Sequence, residues 1–508
     1  MTDKDGACFT DEAKEPKSAV AAADGRPCVW RTVAQRDATV TVTDGSALDY
    51  RETLTLVPVR RSDADARPVG TMSVTSFEKL ADGRIDARRP VLAMFNGGPI
   101  VASTALLLSG IGPCRIAFSD DLNVGARGPF ALEDSAHTVL TDCDILVMDP
   151  IGCGYGTYAA DVDVKERYTA LEDARQFADG LVTWLTRTGR IGSPVFILGE
   201  SYGTVRAPLL ARALLEHPQG AVAISGTILM GATTNIQEVH DRLRSIVAPA
   251  ASLSLMAATA WYHGKSGIEA DDVAQVIDAA REYAQGPYLR ALWQGSRCPQ
   301  DEREKVAARL EEFTGIGAGE WLRSRLNISK NEFRARLLRD EGRVVGVYDA
   351  RYSAKAEFGQ DPDPSDLRIS PAIHACAMDF YASMGVPRDL PRTESPGDVW
   401  PQWDWSVGDP SDSVAAGTRK SPFDEFDYTG ALEYCLTQID GCRLMVVNGC
   451  YDTITTVGAA DALIASMDVT ADQVEQRIYP AGHMTYTDRA SARQLDDDLV
   501  SFIRATLR

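Results

Sequence analysis

The sequence is short of basic residues, and it has no long apolar run. Its 508 residues include 52 lysines and arginines against 72 aspartates and glutamates, which gives a formal net charge of −20. Nucleic acids and anionic membrane surfaces are bound through basic residues, so this balance argues against both as partners. No stretch of about 18 apolar residues is uninterrupted, so no membrane span is expected. The plain interpretation of the acidity is that it keeps the protein soluble.

Cysteine and histidine are scarce as well, with 10 and 6 residues. So few cysteines do not make a disulfide scaffold in a chain of this length. Cys435 could pair with Cys442, and Cys8 with Cys28, but we expect reduced thiols. The spacings match no zinc pattern, so neither a metal nor a cofactor is expected. The start, MTDKDGACFTDEAKEPK, lacks the apolar core of a signal peptide. This predicts a cytoplasmic protein, or a periplasmic or secreted one whose leader has been removed.

Short apolar runs alternate with helical patterns along much of the chain. Strand-like segments between residues 39 and 77 come first and indicate hairpins. Uninterrupted apolar runs follow, and such runs are typical of parallel strands buried on both faces. Together with the helical patterns between them, they predict an α/β fold with a mostly parallel, doubly wound sheet. The runs are Val91–Phe95, Ile145–Met148, Val195–Leu198, Thr227–Met230 and Leu444–Val447.

The pattern divides the chain into four parts. Residues 1–35 are rich in Ala, Asp, Lys and Pro and predict a flexible N-terminal arm. Residues 36–234 and 427–508 carry the strand runs and predict the two parts of one core. Residues 235–426 are helical and charged at first and rich in loops later. We interpret this block as a large, mainly helical cap insertion.

One pentapeptide stands where a predicted strand meets a predicted helix. GESYG, residues Gly199–Gly203, directly follows the apolar run that ends at Leu198, and a helical pattern begins at Thr204. Gly-x-Ser-x-Gly in this setting is the signature of a nucleophile elbow, whose glycines allow a sharp turn that exposes the hydroxyl of Ser201. The pentapeptide alone is a weak signal, and its setting strengthens it.

A serine hydroxyl needs a base within hydrogen-bond reach before it acts as a nucleophile. In this type of sheet an acid and a histidine follow the serine along the chain. Asp452 comes just after the run Leu444–Val447, and His483 comes just after the strand-like Gln476–Tyr479. Asp452 could instead be a turn or N-cap residue, and His483 a structural loop histidine. Cys450 is interpreted as packing.

Acyl transfer also needs backbone N–H groups that face the developing oxyanion. The amide of Tyr202, directly after the serine, is one candidate. A second should come from a glycine-rich loop after an earlier strand, and FNGGP at Phe95–Pro99 lies in that place. A plain tight turn is the alternative for this loop, but beside GESYG the catalytic interpretation is favoured.

Together these segments resemble the serine carboxypeptidase family of α/β-hydrolases. They follow the family's order and spacing, and details such as RPVLAMFNGGP, NGCYD and YPAGHMTY look most like its bacterial branch. The matching motifs are NGGP at Asn96–Pro99, Gly112-Pro113, DPIGCGYG at Asp149–Gly156, GESYGT at Gly199–Thr204 and AGHM at Ala481–Met484. The resemblance implies an α/β-hydrolase fold with no cofactor.

The resemblance also implies a role for seven residues. A protonated Glu200 could donate a hydrogen bond to a substrate's terminal carboxylate, whereas an ionised one would repel it. The implied roles are a catalytic triad of Ser201, Asp452 and His483, oxyanion amides from Gly98 and Tyr202, and recognition of the terminal carboxylate by Asn96 and Glu200.

Three positions depart from the family's pattern. Other members read NGGPGCSS, whereas here NGGP is followed by Ile100, which we expect to narrow the site or change its backbone, and then by Val101, which replaces a cysteine that forms a disulfide in secreted members. An acidic residue that partners the recognition glutamate in many members falls near Gly110 here. We therefore expect Glu200 to ionise more readily, which would weaken carboxylate binding near neutral pH.

These inferences predict a serine-type carboxypeptidase that removes C-terminal residues from peptides or peptide-like metabolites through an acyl-enzyme. An acyltransferase, esterase or amidase in small-molecule biosynthesis is the alternative, and an inactive binding protein on the same scaffold is a further one. Trp400, Trp403 and Trp405 could line a pocket, although packing is favoured. Arg206 could anchor an acidic substrate, although a salt bridge on the helix surface is favoured. The sequence makes no prediction of the oligomeric state.

Overall fold

The computed structural model describes residues 20–22, 24–122, 127–242, 244–358, 363–407 and 426–508. The strands are β1 Arg31–Thr41, β2 Ala47–Arg60, β3 Pro68–Ala81, β4 Arg84–Ile85, β5 Val91–Phe95, β6 Cys114–Ile116, β7 Leu132–Asp134, β8 Asp144–Met148, β9 Thr157–Tyr158, β10 Val195–Glu200, β11 Ile224–Met230, β12 Arg343–Val345, β13 Ser353–Lys355, β14 Arg443–Gly449 and β15 Val474–Tyr479. The α-helices are Thr104–Leu107, Ala170–Arg187, Gly203–Leu215, Ile236–Val239, Val247–Ala251, Leu253–Tyr262, Val273–Tyr283, Leu289–Gln294, Gln300–Thr314, Ala318–Arg323, Lys330–Arg336, Asp366–Ser383, Thr429–Gln438, Val457–Ser466 and Arg489–Thr506.

One large sheet organises the molecule. Its strand order is β1-β2-β3-β8-β5-β10-β11-β14-β15, with β4 and β9 attached to β3. The six strands from β8 to β15 in this order pair in parallel. Strands β1 to β3 form an antiparallel extension that joins β8. The predicted α/β class with a mostly parallel sheet is confirmed.

Both faces of the parallel strands are covered, which explains their uninterrupted apolar sequences. In β5, Val91, Ala93 and Phe95 face a core shared with helices Ala170–Arg187 and Gly203–Leu215. Leu92 and Met94 face the opposite core, which contains apolar residues of the helix Arg489–Thr506. Because side chains alternate along a strand, a strand between two helical layers is apolar at every position.

The long segment between β11 and β14 holds helices with an apolar cluster of their own. This cluster runs from Ala250 to Ala350 and includes Trp321, Phe313 and Phe333, all fully buried. The helix Asp366–Ser383 instead contributes to the core of the main sheet. Helices therefore dominate the region for which the sequence predicted a cap insertion, and the insertion touches the sheet domain directly.

The predicted flexible arm, residues 1–35, extends too far along the chain. Residues 1–19 and 23 lie outside the described residues. Arg31–Gln35 belong to β1 and pair with β2. Ala22 and Cys28 are buried against Ala159. The first part of this strand was missed because an edge strand with mostly polar or half-exposed positions carries little hydrophobic signal.

Candidate active site

Ser201 lies in a strained turn directly after strand β10, at the carboxyl edge of the sheet. The strand ends at Glu200, and the helix Gly203–Leu215 begins just beyond the serine. Ser201 has φ of 58°, in the left-handed region, and its N–H donates to the carbonyl oxygen of Met230 at 2.9 Å. A Cβ on Gly199 would collide with the carbonyl oxygen of Gly203, so the turn requires a glycine there. This is the geometry of a nucleophile elbow.

Asp452 and His483 form a buried hydrogen-bonded pair at the same edge. Asp452 follows β14, His483 follows β15, and their exposed fractions are 0% and 3%. His483 Nδ1 lies 2.7 Å from Asp452 Oδ2. The other carboxylate oxygen of Asp452 accepts from the N–H groups of Ile454 at 2.7 Å and Thr455 at 3.0 Å. The aspartate is thus fixed by its own loop and fixes the imidazole in turn.

The pair leaves the second imidazole nitrogen unused. His483 Nε2 is buried and has no hydrogen-bond partner among the residues that the structure describes. Burial opposes protonation of His483, but the charge and hydrogen bond of Asp452 outweigh it, so the pKa of His483 is raised above 6.5. Ser201 and His483 line one cavity of about 360 Å³. The geometry brings together the three residues predicted as a triad.

The loop Asn96–Pro99 packs directly against the elbow. A Cβ on Gly97 would lie 2.5 Å from the backbone nitrogen of Tyr202, so the two backbones touch. Gly98 has φ of 118° and lines the cavity with Gly97. Tyr202 precedes the first turn of the helix Gly203–Leu215, whose unpaired N–H groups favour negative charge nearby. The loop that carries Gly98 therefore lies directly against the backbone of Tyr202.

Ile100 adopts an unusual backbone conformation and keeps its side chain out of the cavity. It adopts φ of 52°, a conformation that is costly for a branched residue. Its side chain belongs to the apolar cluster of Tyr202, Val205 and Trp403, whereas Val101 and Ala102 line the cavity. The side chain of Ile100 therefore does not narrow the cavity, and the branched residue stands in a backbone conformation that favours glycine.

Glu200 and Asn96 both line the cavity and contact each other, as joint recognition of a terminal carboxylate would require. The amide nitrogen of Asn96 donates to Glu200 Oε2. The amide oxygen of Asn96 accepts from the N–H of Leu106 at 3.1 Å, which orients the group. The hydroxyl of Tyr486 donates to both oxygens of Glu200, at 3.1 and 2.9 Å. Tyr486 was not identified from the sequence, although it ends the motif YPAGHMTY.

Burial decides the protonation of Glu200. It raises the pKa of this carboxyl from 4.5 to about 7, against the opposing effects of His483, Tyr486 and Asn96. The sequence predicts that Glu200 ionises more readily with Gly110 in place of an acidic partner than it would beside one, and this comparison stays a prediction. Burial is the largest cause of the raised pKa, and the charge of the nearby Asp452 carboxylate adds to it.

The insertion forms much of the cavity's opposite wall. Tyr348 and four residues of the helix Asp366–Ser383 line it, together with Glu394. The four are Asp366, Ser370, Ile373 and His374. Of the wall's carboxylates, that of Glu394 accepts from Arg392 at 2.7 Å, whereas Asp366 pairs with no lysine or arginine in the described part of the chain.

One stretch of the insertion, Val347–Arg351, also holds the loops of the acid and the base. The carbonyl oxygen of Val347 accepts from the N–H and hydroxyl of Thr453, at 3.2 and 2.7 Å. The carbonyl oxygen of Tyr348 accepts from the N–H of His483 at 2.6 Å. Arg351 donates to the carbonyl oxygen of Pro480 at 2.9 Å. These bonds attach the Asp452 and His483 loops to a single segment.

Arg206 is neither a substrate anchor nor part of a surface salt bridge. It is fully buried, and its guanidinium donates to the Asp173 carboxylate at 2.7 Å and to the carbonyl oxygen of Asn96 at 2.8 Å. The Tyr202 hydroxyl donates to the same carboxylate at 3.1 Å. Arg206 thus ties the elbow helix to the oxyanion loop from behind the site.

The tryptophans pack behind the elbow and do not line the cavity. Trp403 and Trp405 meet the ring of Tyr202 edge to face, with centroids 5.3 and 5.5 Å apart. Trp400 is 57% exposed and contacts Trp405. The favoured packing role therefore agrees with the geometry.

The nine described cysteines are free, including Cys435 and Cys442, while Cys8 lies outside the described residues. Burial raises the pKa of the Cys450 thiol to about 12, which suits a packing role. In the described ranges no group of three or more His, Cys, Asp or Glu side chains is placed to hold a metal ion. None of the described helices is both long and apolar enough to cross a membrane.

A strained serine after a parallel strand, with aspartate and histidine from the ends of later strands, defines an α/β-hydrolase. A solved structure with this fold is KEX1(ΔP), a prohormone-processing carboxypeptidase from Saccharomyces cerevisiae. It superposes with a TM-score of 0.51 and 13% identity, covering 89% of this chain and 91% of that one. At this identity the likeness establishes the fold.

Sequence comparison points to a family within that fold. The family model described as serine carboxypeptidase matches residues 81–317, slightly under half of the chain. Serine carboxypeptidase-like 36 of Arabidopsis thaliana is 27% identical over 154 residues, 30% of either chain. Pheromone-processing carboxypeptidase KEX1 of Fusarium vanettenii is 30% identical over 152 residues, 28% of this chain and 22% of that protein. The chain thus spans less than a third of the length of these relatives. The matches support placement in the serine carboxypeptidase family.

Proposed function

We propose that this protein is a serine carboxypeptidase-type hydrolase that works through an acyl-enzyme on Ser201. The observation that carries the proposal is the His483 imidazole, which Asp452 holds at Nδ1 while Nε2 stays unpaired in the described chain, in the cavity that Ser201 lines. The partial alignment with serine carboxypeptidases supports it.

The chemistry follows from these positions. Ser201 Oγ attacks the acyl carbonyl carbon, and its proton passes to His483 Nε2, while Asp452 stabilises the imidazolium. The amides of Gly98 and Tyr202 donate to the carbonyl oxygen as it becomes negative, and each such donor contributes roughly 3 kcal/mol in comparable sites.

The second half reverses the proton transfer. His483 gives its proton to the leaving nitrogen, the C–N bond breaks, and the acyl group remains on Ser201. His483 then takes a proton from a water molecule, whose oxygen attacks the ester carbonyl. The bond between the acyl carbon and Ser201 Oγ then breaks, His483 returns its proton to that oxygen, and the product acid leaves.

Asn96 and Glu200 select substrates with a free C-terminal carboxylate in this proposal. Both lie in the cavity beside the nucleophile, and Asn96 is oriented by its bond from Leu106. A protonated Glu200 donates to the carboxylate, and its pKa of about 7 keeps it protonated in mildly acidic solution. Peptides or peptide-like molecules are therefore the proposed substrate class.

Labelling with a fluorophosphonate, which reacts with activated serines, tests the chemistry. The reagent should attach to Ser201, located by peptide mass spectrometry, and Ser201→Ala should abolish labelling. Ser370→Ala is the matched control, because Ser370 is an exposed serine that lines the same cavity. A wild-type chain that stays unlabelled would favour an inactive binding protein and refute the proposal.

Product analysis separates the peptidase from an acyltransferase. Peptides and esters are incubated with and without an amine or alcohol acceptor, and the products are identified by mass spectrometry. Free C-terminal residues and shortened peptides at every acceptor concentration support the carboxypeptidase. Acyl transfer to the acceptor as the main product would support the alternative role in small-molecule biosynthesis.

Two finer predictions from the sequence remain part of this proposal. The bacterial branch of the family rests on the details of the motifs, while the relatives described above come from a plant and fungi. The cellular location, cytoplasmic or else periplasmic or secreted after loss of a leader, stays a prediction. Neither is needed for the chemistry.

A further inference from the structure

A lysine of the insertion reaches the loop that carries Asp452. Lys330 opens the helix Lys330–Arg336 and is only 8% exposed. Its Nζ donates to the carbonyl oxygen of Val239 at 2.7 Å and to that of Ile454 at 2.8 Å. A buried ammonium group is costly, and here it bridges two segments far apart in the chain.

The bond to Ile454 reaches Asp452 through a single peptide group. The carbonyl of Ile454 and the N–H of Thr455 belong to the same peptide unit, and that N–H donates to Asp452 Oδ1 at 3.0 Å. A donor on the carbonyl oxygen fixes the unit's orientation and strengthens its N–H as a donor, because chained hydrogen bonds polarise one another. A continuous series of hydrogen bonds therefore runs from Lys330 through this peptide and Asp452 to His483.

The charges around this chain have a consistent pattern. Burial lowers the pKa of Lys330, and the carboxylates of Asp241 and Asp452 oppose that shift. Burial also lowers the pKa of His240, and the charge of the nearby Lys330 ammonium adds to that effect. His483 is faced by the carboxyl groups of Asp452 and Glu200, which both raise its pKa. The Lys330 ammonium is thus a positive charge close enough to interact with the Asp452 carboxylate.

We propose that Lys330 is a positioning residue of the triad. It holds the 454–455 peptide against Asp452, and its charge limits the protonation of His483. This inference rests on the proposed function, because it assigns Lys330 a part in the reactivity of Ser201.

The test measures the rate of fluorophosphonate labelling of Ser201 against pH, which requires no known substrate. Lys330→Met should slow labelling roughly 10-fold or more, because a His483 imidazole that is out of position accepts the proton of Ser201 less effectively. It should also move the midpoint of the acid limb upward by about half a pH unit, since a lost cation favours the imidazolium. Lys330→Arg keeps the charge and should keep the wild-type midpoint. Lys305→Met is the matched control, because Lys305 is an exposed lysine of the insertion paired with Asp301.

Each outcome of this test either supports or refutes the role of Lys330 as a positioning residue. A wild-type rate and midpoint in Lys330→Met would overturn the inference, as would a slower rate with an unmoved midpoint, since that indicates packing alone. If thermal melting shows Lys330→Met to be unfolded, Lys330→Gln keeps a donor without the charge, and the same midpoint shift is expected of it. An unlabelled wild-type chain would instead refute the proposed function, and this inference with it.

Discussion

Replacement of Glu200 by glutamine should remove a pH dependence that distinguishes free C-terminal carboxylates from capped ones. Burial sets the pKa of Glu200 at about 7. From that value, about nine-tenths of the carboxyl is protonated at pH 6 and about one-tenth at pH 8. Only the protonated form donates to a substrate carboxylate. The kcat/KM for a free-acid peptide, relative to its C-terminal amide, should therefore fall about 10-fold from pH 6 to pH 8.

The ratio of the two substrates is the quantity to measure, because His483 also titrates. Its pKa is raised by Asp452 and Glu200 against the opposing effect of burial, so the base is lost as the pH falls. Both substrates need that base equally, and dividing one kcat/KM by the other cancels its effect. What remains reports the protonation of Glu200, with an apparent midpoint that belongs to the coupled pair.

The assay follows both substrates by mass spectrometry across this range in wild type and two variants. Glu200→Gln retains an N–H donor and cannot ionise, so its ratio should be flat with pH. Glu394→Gln is the control, because Glu394 is another carboxylate that lines the cavity, and it should keep the wild-type slope. A wild-type ratio that is flat or rises with pH would refute the reasoning, and so would a slope that survives in Glu200→Gln.

Three further changes have defined consequences. Tyr486→Phe removes a donor that favours the ionised form of Glu200, so the midpoint of the same ratio should rise by about half to one pH unit, and a fall would contradict the assignment. Arg206→Met leaves Asp173 buried without its cation and should lower the free energy of unfolding by about 3–5 kcal/mol in urea titrations, a loss that Arg206→Lys should share only in part. Trp403→Ala should cost about 3–5 kcal/mol by thermal melting while Ser201 labels normally at low temperature, and lost labelling in the folded variant would indicate a direct role in the site.

The sheet and the catalytic motifs could be predicted because their signals are local. A parallel strand between two helical layers must be apolar at consecutive positions, and such a run is visible in five residues, as in Val91–Phe95. The elbow needs glycines within two positions of Ser201, and the acid and base must follow strand ends. Each of these constraints leaves a mark within a short window of sequence.

The residues that the sequence did not reveal depend on distant partners. Arg206 is defined by Asp173 on another helix, and nothing in its own helical pattern tells a buried ion pair from a surface one. Lys330 meets the carbonyl oxygen of Ile454 across 124 positions. Backbone acceptors leave no trace in a sequence, because every residue carries one. Tyr486 is the exception, since it stands within the histidine motif.

The stretch Val347–Arg351 has a consequence for engineering. By position in the chain it is part of the insertion that forms the opposite wall of the cavity, yet its hydrogen bonds hold the loops of the base and the acid. A chimera that takes the insertion of a relative, in order to accept substrates with other side chains, would have to keep these residues and join the new segments on either side of them. If the whole insertion were exchanged as one block, the hydrogen bonds that Val347–Arg351 make to the Asp452 and His483 loops would be lost.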